Sequence, residues 1–235
     1  TVITDEAPGG ATYGVQVYQA LKERLMAGEL APGEKISLRS VALELGVSMT
    51  PVREAVSKLS NEGALEVSPK RAVSVPLMTV DRYREINNVR YAVEGFAVEE
   101  ACRHRTAAQL RQIRTLDKAF RSTVKAARPD AVRALRLNKE LHMAIYRAAG
   151  SATLLGIIEG LWLQVGPVIN LDLRHSLRRL STGHAERQHL EIVEAIEAQD
   201  GARAREALVA DIRGTADFIE STGVLGGGEA SLLRA

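Results

Sequence analysis

The stretch Gly46-Val47-Ser48-Met49-Thr50-Pro51-Val52-Arg53-Glu54-Ala55-Val56 decides how the first third of this chain folds. Gly46 ends one short amphipathic segment, because a residue without Cβ closes a helix in the left-handed conformation at little cost. Ser48 or Thr50 can cap the next segment, and Pro51 suits its first turn, where a missing N–H leaves no bond unmade. The spacing predicts a helix from there to about Asn61, with Gly63 as its stop. Arg53 then stands one turn in, where its side chain can reach a base edge or a phosphate. A surface arginine paired with Glu54 or Glu62 would read the same way.

Outward from that stretch, Val17, Leu21, Leu25 and Met26 recur at helical spacing between Tyr13 and Ala27. The run 28–33 is a turn, Ile36 to Leu38 suits a short strand, and Ser37 or Ser40 can cap a brief helix through Val41 and Leu45. From Ala64 to Pro76 apolar and polar residues alternate around a Pro69-Lys70-Arg71 tip, a β-hairpin signature. Three helices plus a β-hairpin make a winged helix-turn-helix over residues 12–76, preceded by a disordered tail at 1–11. Such a unit implies double-stranded DNA as a partner.

Charge sharpens that reading. Residues 1–76 hold eight Lys/Arg against nine Asp/Glu, a net of −1, so the remainder of this +2 chain carries +3. Bulk basicity therefore cannot carry DNA binding; placement must. Arg39 at the turn, Arg53 on the helix, and Lys70 and Arg71 at the wing are the cations so placed, although the last two would also suit an ordinary charged turn.

After Pro76 the pattern is helical to Ser221, giving six helices at about 79–103, 106–127, 130–148, 152–178, 184–199 and 201–221. The fold class is thus mainly α: a winged helix-turn-helix followed by an all-α six-helix bundle over 77–221. Gly166-Pro167 should kink the fourth helix of the bundle, and 222–235 reads as a flexible tail. With aromatics at only 4%, the core must come from Leu, Ile, Val and Ala. No apolar run approaches the roughly 18 residues of a membrane span. The first ten residues, TVITDEAPGG, lack the basic and apolar regions of a signal peptide. The lone Cys102 excludes an internal disulfide framework and fits a cytoplasmic setting without a membrane partner.

The run Leu30-Ala31-Pro32-Gly33, Leu38, Leu45-Gly46-Val47-Ser48, Thr50-Pro51-Val52-Arg53-Glu54-Ala55, Leu59, Glu62-Gly63 closely resembles the GntR family of bacterial transcriptional regulators. The helical remainder resembles the FCD ligand-binding domain of the FadR subgroup. Six helices, with the segments Asn138 to His142, Gln188 to Ile192 and Asp200 to Leu208, point to its VanR-like branch. Two positions depart from the family pattern. Met49 stands where arginine is common and offers only apolar contact, for instance to a thymine methyl. Ala72 replaces the usual wing-tip glycine, which bears on the hairpin turn.

The resemblance implies operator binding as a homodimer, with Ser48, Met49, Thr50, Pro51, Arg53, Arg39, Lys70 and Arg71 at the DNA. It also implies a metal site in the bundle. Asn138 and His142 share a helix face; with His189 and Asp211 they stand where the family usually has an Asp or Asn and three His, so this chain keeps two imidazoles, with an amide first and a carboxylate in place of the third His. Two nitrogens and one or two oxygens suit Zn²⁺, Ni²⁺ or Mn²⁺, whereas buried histidines alone would more simply be core residues. A small carboxylate could complete such a centre, met by Arg90 or by Arg174 and His175. Arg90 could equally form a surface ion pair with Glu94. His104 and His184 fall at helix ends, as caps or in solvent, and Trp162 is a core or pocket-wall residue. The functional reading is a ligand-responsive regulator, most simply a repressor. Its rivals are a metal-dependent enzyme, for which no nucleophile–base pair is apparent, and a sensor of the metal itself.

Overall fold

The computed structural model describes residues 13–169 and 183–226. In the first part, α1 (Tyr13–Met26), α2 (Leu38–Leu45) and α3 (Met49–Asn61) pack around Val17, Leu21, Leu25, Val41, Leu45, Val52, Val56 and Leu59, all buried. These are the residues at three- and four-residue spacing on each helix, so burial follows the apolar stripes. Ser37 caps α2, its hydroxyl accepting from the Ser40 N–H at 3.2 Å, and Gly46 closes that helix at φ +69. Ser48 takes the N-cap position of α3, but its side chain makes no capping bond. The expected side-chain cap is absent, and the hydroxyl stays at the exposed start of the helix.

The hairpin is present and has a third strand. Strands β1 (Lys35–Ile36), β2 (Glu66–Val67) and β3 (Val73–Ser74) form an antiparallel sheet in the order β1-β3-β2, with Lys35 opposite Ser74 and Val67 opposite Val73. At the wing tip the Ser68 N–H donates to the Ala72 carbonyl at 2.9 Å and the Arg71 N–H to the Ser68 carbonyl at 2.8 Å. That pattern closes a three-residue loop whose last residue turns left-handed. Arg71 takes that position at φ +60, one residue before Ala72.

The helical part contains α4 (Val80–His104), α5 (Ala107–Val124), α6 (Ala131–Ala148), α7 (Ala152–Ile169), α8 (His184–Ala198) and α9 (Gly201–Thr222). These match the six expected helices to within a few residues; the stretch 170–178 of the expected fourth lies outside the described residues. α7 continues through Pro167 rather than ending there. Helix α4 buries Tyr83, Ile86, Asn87, Arg90, Glu94, Ala97, Val98 and Ala101, a stripe that is polar at its centre and apolar at both ends.

Two sequence expectations are corrected. Helix α7 is apolar enough by length and composition to cross a membrane, with mean hydropathy 1.5 over 18 residues. Its buried face (Ile158, Trp162, Leu163, Val165) and the ion pair from Glu159 to Lys22 at 2.6 Å mark it as a core helix. The supposed tail from Thr222 begins by folding back: Leu225 is buried and the Gly226 N–H donates to the Met78 carbonyl at 3.1 Å.

The two parts touch through α1. Lys22 pairs with Glu159 on α7, and Glu23 pairs with Lys139 on α6. Gly166 is where α7 runs against the end of α1: a Cβ there would lie 2.4 Å from the Leu25 carbonyl oxygen. Only glycine permits that approach.

Candidate functional site

Two sets of side chains are left without protein partners, one outside and one inside. On the outside, the winged part sorts its cations. Lys22 pairs with Glu159, Arg24 with Glu44 at 3.3 Å, and Lys58 lies over the Tyr18 ring at 3.8 Å. The Tyr18 hydroxyl also donates to Glu62 at 2.9 Å, which removes one of the two carboxylates that Arg53 could have met. Arg39, Arg53, Lys70 and Arg71 are exposed and have no ion pair among the described residues, and the same holds for Lys35, which sequence reasoning passed over. Arg53 and Arg71 line opposite sides of a groove of about 570 Å³ between α3 and the wing. Thr50 is exposed and Pro51 half-buried at the helix start. Met49 is half-buried and packs on the apolar core, so only part of it is available to a partner. Residues 12–76 hold eight Lys/Arg against seven Glu, and the pairing of Glu44 with Arg24 and of Glu62 with Tyr18 leaves Arg53 and Arg71 exposed and, among the described residues, unpaired beside the groove.

On the inside, α6, α8 and α9 bring His142, His189 and Asp211 together, all buried, with one ligand atom of each within 4.8 Å of the others. His142 Nε2 lies 3.3 Å from Asp211 Oδ2, and His189 Nε2 lies 3.8 Å from Asp211 Oδ1. Among the described residues, both His189 nitrogens and Asp211 Oδ1 have no hydrogen-bond partner. Buried polar atoms are rarely left so, and one His189 nitrogen and the Asp211 oxygen can offer lone pairs. Burial pushes the His189 imidazole down to about 4, against the pull of Asp211, so it is neutral near pH 7. For Asp211 burial acts upward, but His189 and the hydrogen bond with His142 outweigh it and hold the carboxyl below its ordinary range. Two imidazoles and an ionised carboxylate, converging with unused lone pairs, fit a divalent cation. Asn138 lies one turn before His142 and is half-buried.

Around this cluster the bundle is unusually polar. The Phe120 ring lies 4.7 Å from that of His189, and the Trp162 ring 5.5 Å from that of His142. The Arg90 guanidinium lies 5.3 Å from the Trp162 ring, donates to Glu94 Oε1 at 2.6 Å and to Asn87 Oδ1 at 3.0 Å. The ion pair of Arg90 with Glu94 therefore exists, but in the core and not on the surface: Arg90 is 3% exposed and Glu94 is fully buried. The Tyr146 hydroxyl donates to Glu94 and meets His142 Nδ1 at 3.1 Å. Sequence reasoning passed over Tyr146, although its spacing from His142, four residues on, puts both on one face. His184 is not a solvent group; its Nε2 meets the Ala210 carbonyl oxygen at 3.1 Å. Arg174 and His175 lie outside the described residues.

Residues 14–75 match the family of bacterial regulatory proteins named gntR, and residues 85–214 match the FCD domain. The HTH-type transcriptional regulator McbR of Escherichia coli is 31% identical over 83% of this chain and 86% of its own. The HTH-type transcriptional repressor RspR of the same species is 26% identical over 82% of each. The solved structure of E. coli McbR/YncC aligns with a TM-score of 0.83 at 27% identity, covering 91% of this chain and all of that one. A putative GntR regulator from Rhodococcus, at 18% identity and a TM-score of 0.69, shares the fold. The chain belongs to the GntR family of bacterial regulatory proteins, as a DNA-binding transcriptional regulator with an FCD domain rather than an enzyme.

Proposed function

We propose that residues 12–76 grip operator DNA while residues 77–221 sense a small organic carboxylate beside a bound divalent metal, and that the ligand releases the protein from its operator. The observation that carries this reading is the buried set of unpartnered acceptors on His189 and Asp211, next to His142. His142, His189, Asp211 and Asn138 would hold Zn²⁺, Ni²⁺ or Mn²⁺. When bound, the ion supplies the positive charge that attracts a carboxylate. Arg90 supports the same preference, as do Arg174 and His175 by resemblance.

At the DNA, Arg53 stands on the exposed face of α3 with Thr50 and the uncapped Ser48 at its start. That helix end offers free N–H groups and a positive dipole to a phosphate. Met49 and Pro51 shape the same end, Arg39 approaches from α2, and Lys70 and Arg71 approach from the wing. A homodimer would set two such helices roughly 34 Å apart, one turn of duplex. Transmission has a physical route: α6 carries His142 and Lys139, and α7 carries Trp162, Glu159 and Gly166. Each helix thus joins the internal cluster to α1, so a shift in either biases the winged part. The six-helix pattern supports placement in the VanR-like branch, as a cytoplasmic repressor.

The test pairs metal analysis with DNA anisotropy on the full chain, using duplex from beside its own gene. We expect a stoichiometric divalent metal that is lost in His189→Ala. A panel of small organic acids should then contain members that raise the melting temperature of the metal-loaded protein and weaken its DNA binding. A protein that neither retains nor takes up Zn²⁺, Ni²⁺ or Mn²⁺ would overturn the metal reading.

A further inference from the structure

The two histidines of the cluster are held differently. Among the described residues, His189 has no hydrogen bond at either nitrogen, and its ring packs against Phe120. His142 sits at the end of a buried chain of polar groups running from α4 to α6. Arg90 donates to Glu94 through Nε at 2.6 Å and Nη2 at 3.4 Å. A carboxylate so paired can only accept, and Tyr146 has a single hydroxyl proton, which it donates to Glu94. The Tyr146 oxygen is then an acceptor toward His142 Nδ1 at 3.1 Å, so that nitrogen carries hydrogen. The ring is thereby turned with Nε2, the other nitrogen, 3.3 Å from Asp211 Oδ2.

We propose that Tyr146 is a positioning residue for the metal centre: anchored by Glu94 and Arg90, it accepts from His142 Nδ1–H and so turns Nε2 toward Asp211, where a cation takes the place of the proton shared with the carboxylate. The inference rests on the metal reading above. Its physical basis is that a ligating imidazole gains affinity when its remote N–H has a fixed acceptor, which sets both tautomer and ring orientation. The Tyr146 hydroxyl is such an acceptor, and it is strengthened because its own proton is given to a carboxylate. Every link is buried, so water does not substitute for a missing one. His189 has no equivalent device and serves as the internal contrast.

The experiment uses the full chain and Zn²⁺ as the probe. Affinity is read by chelator competition and by the fluorescence of Trp162, the chain's only tryptophan, whose ring lies against His142. Removing the hydroxyl in Tyr146→Phe keeps the ring, and the expected result is binding weaker by roughly ten- to a hundred-fold. A nitrogen-15 correlation spectrum of the metal-free wild type, with His142 assigned by its loss in His142→Gln, should show Nδ1 protonated. That measurement needs no folded Tyr146 variant. Wild-type affinity retained by Tyr146→Phe, or an unprotonated Nδ1 in the wild type, overturns the positioning role and leaves the metal site standing. A wild type that binds no Zn²⁺ overturns the metal reading and the positioning role with it.

Discussion

The winged part and the helical part of this protein treat polar groups in opposite ways. In the winged part the uncommitted groups are cations and they lie outside: Arg39, Arg53, Lys70 and Arg71 face solvent without an ion pair among the described residues. In the bundle the uncommitted groups are acceptors and they lie inside, on His189 and Asp211. An exposed unpaired cation is cheap, because water solvates it, and it is available to a polyanion. A buried unpaired acceptor is costly unless a ligand completes it. The contrast assigns the two proposed partners by sign: DNA outside, a cation inside.

If the bundle interior is a satisfied network waiting only for its ligand, breaking one internal pair should cost much more than any surface change. Glu94→Ala leaves the Arg90 guanidinium buried without its partner. Urea denaturation should show a loss of about 3–5 kcal/mol, the usual penalty for an orphaned buried charge. Replacing both partners, as in Arg90→Met with Glu94→Leu, should recover most of that stability. A loss under about 1 kcal/mol for the single change would mean water reaches the pair, and the inside–outside contrast would fail there.

The contact between the two parts comes next. Gly166→Ala drives a Cβ toward the Leu25 carbonyl oxygen, which is backbone and cannot swing aside. We expect about 1–3 kcal/mol of destabilisation, typical of overpacking, and a changed DNA affinity if α1 must shift to make room. Unchanged stability would show that α7 and α1 separate easily and do not transmit.

How much of this could be read in the sequence follows the same division. The winged part was legible because its signals are local: period-3.6 stripes, Gly46 and Gly63 as stops, and an alternating hairpin. The short strand expected at Ile36 to Leu38 forms at Lys35–Ile36, but its pairing with Val73–Ser74 carries no sequence signal, and neither does the left-handed turn at Arg71 beside Ala72. In the bundle, helix positions were legible, but the site was reached only through resemblance. Glu94 and Tyr146 lie 52 residues apart, and no periodicity links them. Only the packing of α4 on α6 turns two ordinary helix positions into a relay. Met49 has a role that its place in the motif does not reveal: it is partly buried against the core, which leaves only part of it for an apolar contact with DNA.

On the outer face, Arg53→Ala separates base from phosphate contact. Loss of a bidentate base contact should weaken operator binding by roughly ten- to a hundred-fold and relax sequence preference at one position. Loss of a phosphate contact would instead lower affinity equally for all sequences and reduce the salt slope by about one. Anisotropy titrations against operator and unrelated duplex at several salt concentrations distinguish them. Unchanged affinity would remove α3 from the interface.

The smallest expected effect is also the most revealing of how the wing is built. Arg71 holds a left-handed conformation that costs a side-chain-bearing residue about 1 kcal/mol, and glycine would avoid that cost. Glycine gives part of the gain back through the greater freedom of its unfolded chain. Arg71→Gly should therefore raise stability by no more than a few tenths of a kcal/mol while lowering the salt slope of DNA binding by about one. Stability and affinity moving in opposite directions would show that the wing tolerates backbone strain to place a cation at the DNA. A variant that is less stable, yet binds DNA with the wild-type salt slope, would mean that Arg71 serves the hairpin and that Lys70 carries the contact.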